Sequence, residues 1–320
     1  IWIKQDSGNT WRNVTDDLHL PALCASEIIR NPFDHDHLIA STASGVLKSG
    51  DYGTGILESF NNGASWAIMP GFENTNAMTI QKVIADPTDT NPANGITLYA
   101  ISNEPGNGKD KIYKSDNSGL DWYVFQGPHE DSLFNVHLMD IEINDQGTIF
   151  LAGDPKWSEI HGKFYKYESG QWIELNGSTQ VDSFRHVRFS KPYGGKMYLL
   201  CDGILDNSKK RRIFKTTDYG ANWNIIHDTL NPAWQSEIAY SPVSNIVYIG
   251  SVDLHVFKDD GVYQTYDIKP LHVDVRDFDI IGTSNGYEKV LIATDGGLTL
   301  ASVDTSDITN INLANLNGNH

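Results

Sequence analysis

Cysteine is nearly absent from this sequence: Cys24 and Cys201 are the only two in 320 residues. Two thiols that far apart make no disulfide framework, and free, partly buried thiols are expected. Basic residues are also scarce, with 24 Lys and Arg against 41 Asp and Glu and a net charge of −17. Phosphate recognition needs a basic field, so a nucleic-acid partner is excluded. No apolar run approaches the roughly 20 residues that span a bilayer, which excludes insertion by a helix. No secretory leader is visible, and the chain begins at Ile1 without methionine, so a processed or partial chain is expected. A Gly-rich phosphate loop, an HExxH helix and a nucleophile-elbow serine are all missing. No cofactor and no metal are therefore expected.

What the sequence does have is glycine, 28 of them spread along its length, and 11% aromatic residues. Many turns follow from that distribution. Their arrangement is periodic, because one phrase recurs: a short apolar strand, Ser/Thr-x-Asp/Asn-x-Gly-x-x-Trp, and another apolar strand. It stands at Lys4–Trp11 (KQDSGNTW), Ser59–Trp66 (SFNNGASW), Ser115–Trp122 (SDNSGLDW) and Thr216–Trp223 (TTDYGANW). Degenerate copies stand at Tyr167–Trp172 (YESGQW) and Lys258–Tyr263 (KDDGVY). Their aromatic positions are 55, 56, 50, 51 and 40 residues apart, the length of one four-stranded blade. The chemistry of the phrase is that of a turn. The Asp or Asn side chain accepts backbone N–H bonds, the glycine takes a conformation that a Cβ penalises, and the tryptophan packs at the edge.

The repeat resembles the Asp-box (BNR) propellers, a family that includes sialidases, sortilin-type receptors, photosystem-assembly propellers and xyloglucanase-type glycoside hydrolases. Ile292–Leu298 (IATDGGL) and Ile84–Pro87 (IADP) with Thr97–Ala100 (TLYA) look most like the xyloglucanase type and like the tandem propellers of secreted proteins. The resemblance implies an all-β propeller at the cell surface or outside the cell. It specifies a scaffold and not an activity.

With strands lettered A to D within each blade, complete blades fall at about 24–70, 79–126, 137–176, 183–228, 235–268 and 274–315. Residues 1–20 supply strands C and D of one more. A propeller closes to hide its edges, so a seventh blade is expected to take its A and B strands from sequence beyond His320. The chain is thus read as a single propeller over 1–320 within a larger protein.

Asp boxes occupy C–D turns, so a site is expected on the other face, where the B–C loops emerge. Those loops are Thr42–Gly55, Ser102–Lys111, Ala152–Lys163 and Cys201–Arg212. Aligning the A strands on their following turns gives an ionisable column of Glu27, Lys82, Asp140, His186, Glu237 and Asp277. The next residue is always apolar (Ile28, Val83, Ile141, Val187, Ile238, Phe278) and is expected between blades. Glu142, Arg188 and Asp279 lie two positions beyond the column and are placed to pair with it. The ring reads first as a solvated channel lining. As a site, it would offer Asp140, Glu237 and Asp277 as hydrolase carboxylates, whose separation sets retaining or inverting chemistry. Glu27, Lys82, His186, Arg188 and Arg276 would bind ligand, with Tyr52, Trp157 and Trp234 as stacking aromatics and Phe72 and Phe134 as further ones.

Two weaker motifs are read as structural. Asp34–His37 (DHDH) is placed in an A–B turn rather than at a metal, and Lys209–Arg212 (KKRR) at a solvated loop tip. A sialidase would carry an Arg-Ile-Pro signature, and none of the seven arginines precedes Ile-Pro. The first functional reading is a non-enzymatic module that binds a protein or a polysaccharide. The second is a xyloglucanase-type glycoside hydrolase acting on a β-glucan through a carboxylate pair.

Overall fold

The computed structural model describes residues 1–4, 10–20, 24–43, 53–72, 79–90, 93, 95–103, 110–125, 136–155, 162–175, 184–205, 208–230, 237–259, 263–266 and 274–317. Runs of β-branched and aromatic residues, broken by Gly, Asn and Asp, make every long element a strand. Within each sheet the strands follow one another in sequence order and pair antiparallel.

The chain divides into two compact units, Ile1–Leu175 and Asn176–His320. In the first, β1 (Trp2–Lys4) and β2 (Trp11–Asn13) form a two-stranded sheet. Blade 1 consists of β3 (Ala25–Asn31), β4 (Asp34–Thr42), β5 (Gly55–Ser59) and β6 (Ala67–Ile68). Blade 2 is β7 (Thr79–Ala85), β8 (Leu98–Asn103), β9 (Lys111–Ser115) and β10 (Tyr123–Val124). Blade 3 is β11 (Val136–Ile143), β12 (Ile149–Pro155), β13 (Lys163–Glu168) and β14 (Gln171–Glu174).

The second unit opens with blade 4, which is β15 (Phe184–Phe189), β16 (Met197–Leu205), β17 (Ser208–Thr216) and β18 (Asn224–Leu230). Blade 5 is β19 (Glu237–Ser241), β20 (Ile246–Gly250), β21 (Leu254–Lys258) and β22 (Tyr263–Tyr266). Blade 6 is β23 (Val275–Ser284), β24 (Tyr287–Thr294), β25 (Gly297–Asp304) and β26 (Ile311–Asn315). Six complete four-stranded blades result, as the repeat spacing requires.

Each unit buries its apolar residues between successive blades. Ile39, Ile56, Ile80, Val83 and Leu98 join blades 1 and 2, and Ile101, Ile112, Leu138, Ile141 and Leu151 join blades 2 and 3. In the second unit Leu200, Ile213, Ile238 and Val247 join blades 4 and 5. Tyr248, Val256, Val275, Ile292 and Val303 join blades 5 and 6. A fully buried side chain of this kind contributes roughly 1.5–3 kcal/mol. Ile1, Val14, Leu18 and Leu20 pack on Ala40, Leu57 and Trp66, which seats the two-stranded sheet against blade 1.

The recurring turn is built as its chemistry demands. In blade 1 the Ser59 hydroxyl donates to Asn61 Oδ1 at 2.9 Å and accepts from Gly63 N–H at 2.9 Å, while Ser65 N–H donates to Asn61 Oδ1 at 2.9 Å. The same three bonds recur on Ser115, Asn117, Gly119 and Asp121, and on Thr216, Asp218, Gly220 and Asn222. Gly63 sits at φ +82°, in the left-handed region where a Cβ is penalised. Trp66 is 6% exposed and donates its indole N–H to Gly63 O.

Four sequence expectations need correction. KKRR is not a loop tip, because β16 and β17 continue as one long hairpin with Cys201 opposite Arg212 and Leu205 opposite Ser208. Strand alternation then turns Arg211 inward, where it is 0% exposed. DHDH heads strand β4 rather than filling a turn, and no group of three or more metal-ligating side chains occurs among the described residues. Phe72 is core, 3% exposed and edge-on to Trp122 at 5.5 Å. Ile28 is 45% exposed, whereas Val83, Ile141 and Val187 at the same column position are 0% exposed.

Candidate functional site

The ionisable column stands beside a recurrent irregularity. The first strand of five blades slips by one residue against its neighbour, between Ala25 and Glu27, Ile80 and Lys82, Leu138 and Asp140, Arg185 and Val187, and Val275 and Asp277. Such β-bulges re-aim the side chains beside them. In four of these blades the column residue follows the bulge, and in blade 4 the extra residue is the column residue His186. Its side chain lies outside the described residues, as do Tyr52, Trp157, Trp234 and Phe134. Glu237 opens its strand in regular pairing.

In the first unit the bulges bring three column residues into one electrostatic cluster. Lys82 Nζ donates to Asp140 Oδ1 at 2.7 Å and to Glu142 Oε1 at 2.6 Å. Asp140 and Glu142 are two apart on β11 and share a side of the strand. They are 2% and 6% exposed. Burial alone would pull the Lys82 ammonium down, but the charges of Asp140, Glu142 and Glu27 outweigh it and hold Lys82 well above its ordinary value. Glu27 is half-buried. The expected partnership of the column with residues two positions on is therefore present, and it runs from blade 2 to blade 3.

The second unit repeats the device once. Arg188 Nε donates to Glu237 Oε1 at 3.2 Å, joining the first strands of blades 4 and 5. Blade 6 differs. Asp277 and Asp279 are exposed, and Arg276 turns to the β24–β25 turn, where Nε and Nη2 grip Asp295 at 2.6 and 2.8 Å. That fork raises the guanidinium further above its ordinary value against a smaller opposing effect of burial. Asp295 lies within the phrase IATDGGL, so its sequence neighbourhood had attracted notice without assigning it a role.

One pairing had no sequence signal. At the end of blade 3 where β11 begins, Asp110 is 2% exposed and accepts from Leu138 N–H at 2.7 Å. His137 Nδ1 lies 3.5 Å from the same Asp110 oxygen. Only the bulged register of β11 and the return of the chain at Lys111 bring these residues together.

The first strands of the blades thus carry a cation-bridged carboxylate pair, an Arg–Glu pair and, in blade 6, the exposed carboxylates of Asp277 and Asp279. No family model matches the chain, and no curated protein matches its sequence. Solved structures do match. YCF48 from Cyanidioschyzon merolae aligns with a TM-score of 0.59 at 13% identity, over 94% of this chain and 88% of its own. The α-L-arabinofuranosidase Arb93A from Fusarium graminearum gives 0.56 at 10% identity, over 90% of this chain and 94% of its own. A GH74 enzyme from Niastella koreensis gives 0.53 at 14% identity, over 90% of this chain and 50% of its own. The chain is a β-propeller. At such identities the likeness carries the fold alone, and the propeller spans half the length of that GH74 enzyme. No helix among the described residues is long and apolar enough to cross a membrane.

Proposed function

We propose that this chain is a non-enzymatic Asp-box propeller module that binds a polysaccharide within a larger secreted or cell-surface protein. One observation carries the reading against catalysis. Asp140 and Glu142 are buried and bridged by Lys82, and Glu237 is held by Arg188. A glycosidase carboxylate must reach a leaving-group oxygen, a water or an anomeric carbon. Of the three candidate carboxylates, Asp277 is the exposed one. The paired charges serve as pins between blades, and the ligand lies on the blade 6 surface at Asp277 and Arg276.

The module is one propeller of seven blades. The two-stranded sheet β1–β2 supplies strands C and D of the seventh, and further polypeptide supplies A and B. The exposure of Ile28 supports this count, because its counterparts Val83 and Ile141 in blades 2 and 3 are covered by the preceding blade. The carbohydrate reading draws on the neighbours, among them Arb93A and a Penicillium chrysogenum α-L-arabinanase complexed with arabinobiose.

A GH74-like hydrolase is the second reading, favoured by the match to half of a GH74 enzyme; the other part of its cleft would come from further polypeptide. Incubation of the purified chain with a β-glucan and arabinan panel, read for retention and for reducing ends, separates the two. Retention without release supports the module. Release that Asp277→Ala or Asp140→Ala abolishes would establish the hydrolase. Retention on a protein array alone would replace the polysaccharide with a protein ligand.

A further inference from the structure

The opposite end of blade 1, where the β3–β4 and β5–β6 turns meet, carries an arrangement that the repeat chemistry does not require. Phe60 is 64% exposed and Phe33 is 43% exposed. In the other described boxes that open with a hydroxyl residue, the position of Phe60 holds Asp116 and Thr217, so the turn accepts polar residues there. Exposed phenyl rings are costly to keep in water, and here the larger exposure is also the more rigid one. The Phe60 ring stacks on the buried His37 ring at 4.4 Å with an interplanar angle of 14°. His37 is 3% exposed, and its Nδ1 lies 3.2 Å from Asn31 Nδ2.

Both turns are fixed as well. Asn62 N–H donates to Asp36 O at 2.8 Å, which ties the β5–β6 turn to the head of strand β4. Phe33 N–H donates to Asn31 Oδ1 at 3.0 Å, and Asp36 N–H donates to Asp34 Oδ1 at 3.1 Å. Beside the rings stand Asp34, His35 and Asp36, all exposed. Arg30, whose guanidinium is tied to Asn62 Oδ1 at 3.1 Å, leaves the two carboxylates in excess. One face of Phe60 is therefore backed by an imidazole, the other faces solvent, and two carboxylates lie at the head of β4 next to the β3–β4 turn.

We infer that this end of blade 1 is a docking surface for a basic peptide segment of a partner protein, one that alternates Arg or Lys with apolar side chains. Charge complementarity selects that occupant. The chain carries a net charge of −17, and a guanidinium is the group that pairs with carboxylates while lying flat on an aromatic face. Apolar side chains of the segment cover Phe33. Because the platform is ordered before binding, little conformational entropy is lost on association. The surface is separate from the B–C loops and stands or falls independently of the polysaccharide reading.

The test uses the whole chain and a fluorescein-labelled Arg-Leu-Arg-Leu-Arg peptide, followed by fluorescence anisotropy, with Glu-Leu-Glu-Leu-Glu as the control. The basic peptide binds and the acidic one does not. Phe60→Ala weakens binding by about thirtyfold, the size of a hot-spot truncation. Asp34→Asn with Asp36→Asn weakens it several-fold and flattens its salt dependence, since asparagine keeps the acceptor that holds the turn. Asp145→Asn, an exposed carboxylate on the corresponding turn of blade 3, changes the affinity by less than about twofold. Thermal melts of each variant within a few degrees of the parent establish that the fold is intact, and Phe33→Ala repeats the aromatic arm if Phe60→Ala melts early. Failure of the basic peptide to bind overturns the inference. So does an Asp145→Asn loss equal to that of the Asp34/Asp36 pair, or a neutral oligosaccharide that binds in a Phe60-dependent way in the peptide's place.

Discussion

Replacing Lys82 with methionine removes the ammonium from between two carboxylates and keeps most of the side-chain volume. In the parent, Nζ lies 2.7 Å from Asp140 and 2.6 Å from Glu142, and the two carboxylates are 2% and 6% exposed. Removing one member of a buried ion pair costs about 3–5 kcal/mol, because the remaining charge stays desolvated. Here two like charges remain, and at about 5 Å in an effective dielectric of 20 their repulsion alone is about 3 kcal/mol. The expected loss is therefore at the upper end, about 4–5 kcal/mol, a large share of the 5–15 kcal/mol typical of a folded domain. Urea denaturation followed by tryptophan fluorescence reads it as a fall in midpoint.

The sign with pH is fixed. A lysine held above its ordinary 10.5 contributes its full stabilisation below that value and loses it only as pH rises through the higher folded value. The lysine's own titration thus leaves the gap between parent and Lys82→Met unchanged up to about pH 9. The triple variant Lys82→Met, Asp140→Leu, Glu142→Leu recovers most of the loss, since replacing a whole buried ionic cluster by apolar groups is close to neutral. A loss under about 1 kcal/mol for the single variant, or no recovery in the triple, would refute the view that these charges are pins.

Three further outcomes follow from the same physics. Asp259 is clamped by Lys196 at 2.8 Å and by Lys215 at 2.6 Å, between blades 4 and 5. Burial pushes its carboxyl up, but bonds from the Lys196 and Lys215 ammonium groups outweigh that and hold it below 3.8. This stabilisation is present above pH 3.8 and lost as pH falls through the folded value, so Asp259→Asn costs about 2–4 kcal/mol at pH 7 in urea denaturation, with the deficit closing in strong acid. Ser59→Ala and Thr216→Ala each remove a hydroxyl that both donates and accepts within its turn, and each lowers stability by about 1–2 kcal/mol in the same assay. His255 is pulled down to about 4 by burial and by Arg211 and His227, against an opposing pull from Asp253. A folded value below the unfolded 6.5 means stability is lost as pH falls from 6.5 toward 4, roughly 3 kcal/mol in all; His255→Gln flattens that slope, measured as the urea midpoint against pH.

The division between what the residues announced and what they concealed is itself physical. The turns were legible because every bond that makes them lies within an eight-residue phrase, so Ser59, Asn61, Gly63 and Trp66 state their own structure. The blade count followed from the spacing of those phrases. The column of Glu27, Lys82, Asp140, Glu237 and Asp277 was visible as a pattern, with Glu142 and Arg188 as its partners, but which blades each pair joins was not. Pairing depends on the bulges that precede Lys82 and Asp140, and a single inserted residue reverses which side of a strand the next side chain takes. KKRR was misread for the converse reason: four cations in a row describe a solvated tip only if the chain turns there, and the regular ladder from Cys201 to Leu205 instead carries Arg211 inward. Phe60 shows the limit most plainly. In sequence it fills an unconstrained position of the turn, and only the stack on His37, supplied by the neighbouring strand β4, turns an incidental phenylalanine into a rigid exposed platform. Asp34 was read as part of a turn and not as a metal ligand, yet it heads strand β4; the fold buries His37 beneath a ring and leaves Asp34 and Asp36 outside, where the cation they suit is a side chain brought by a partner.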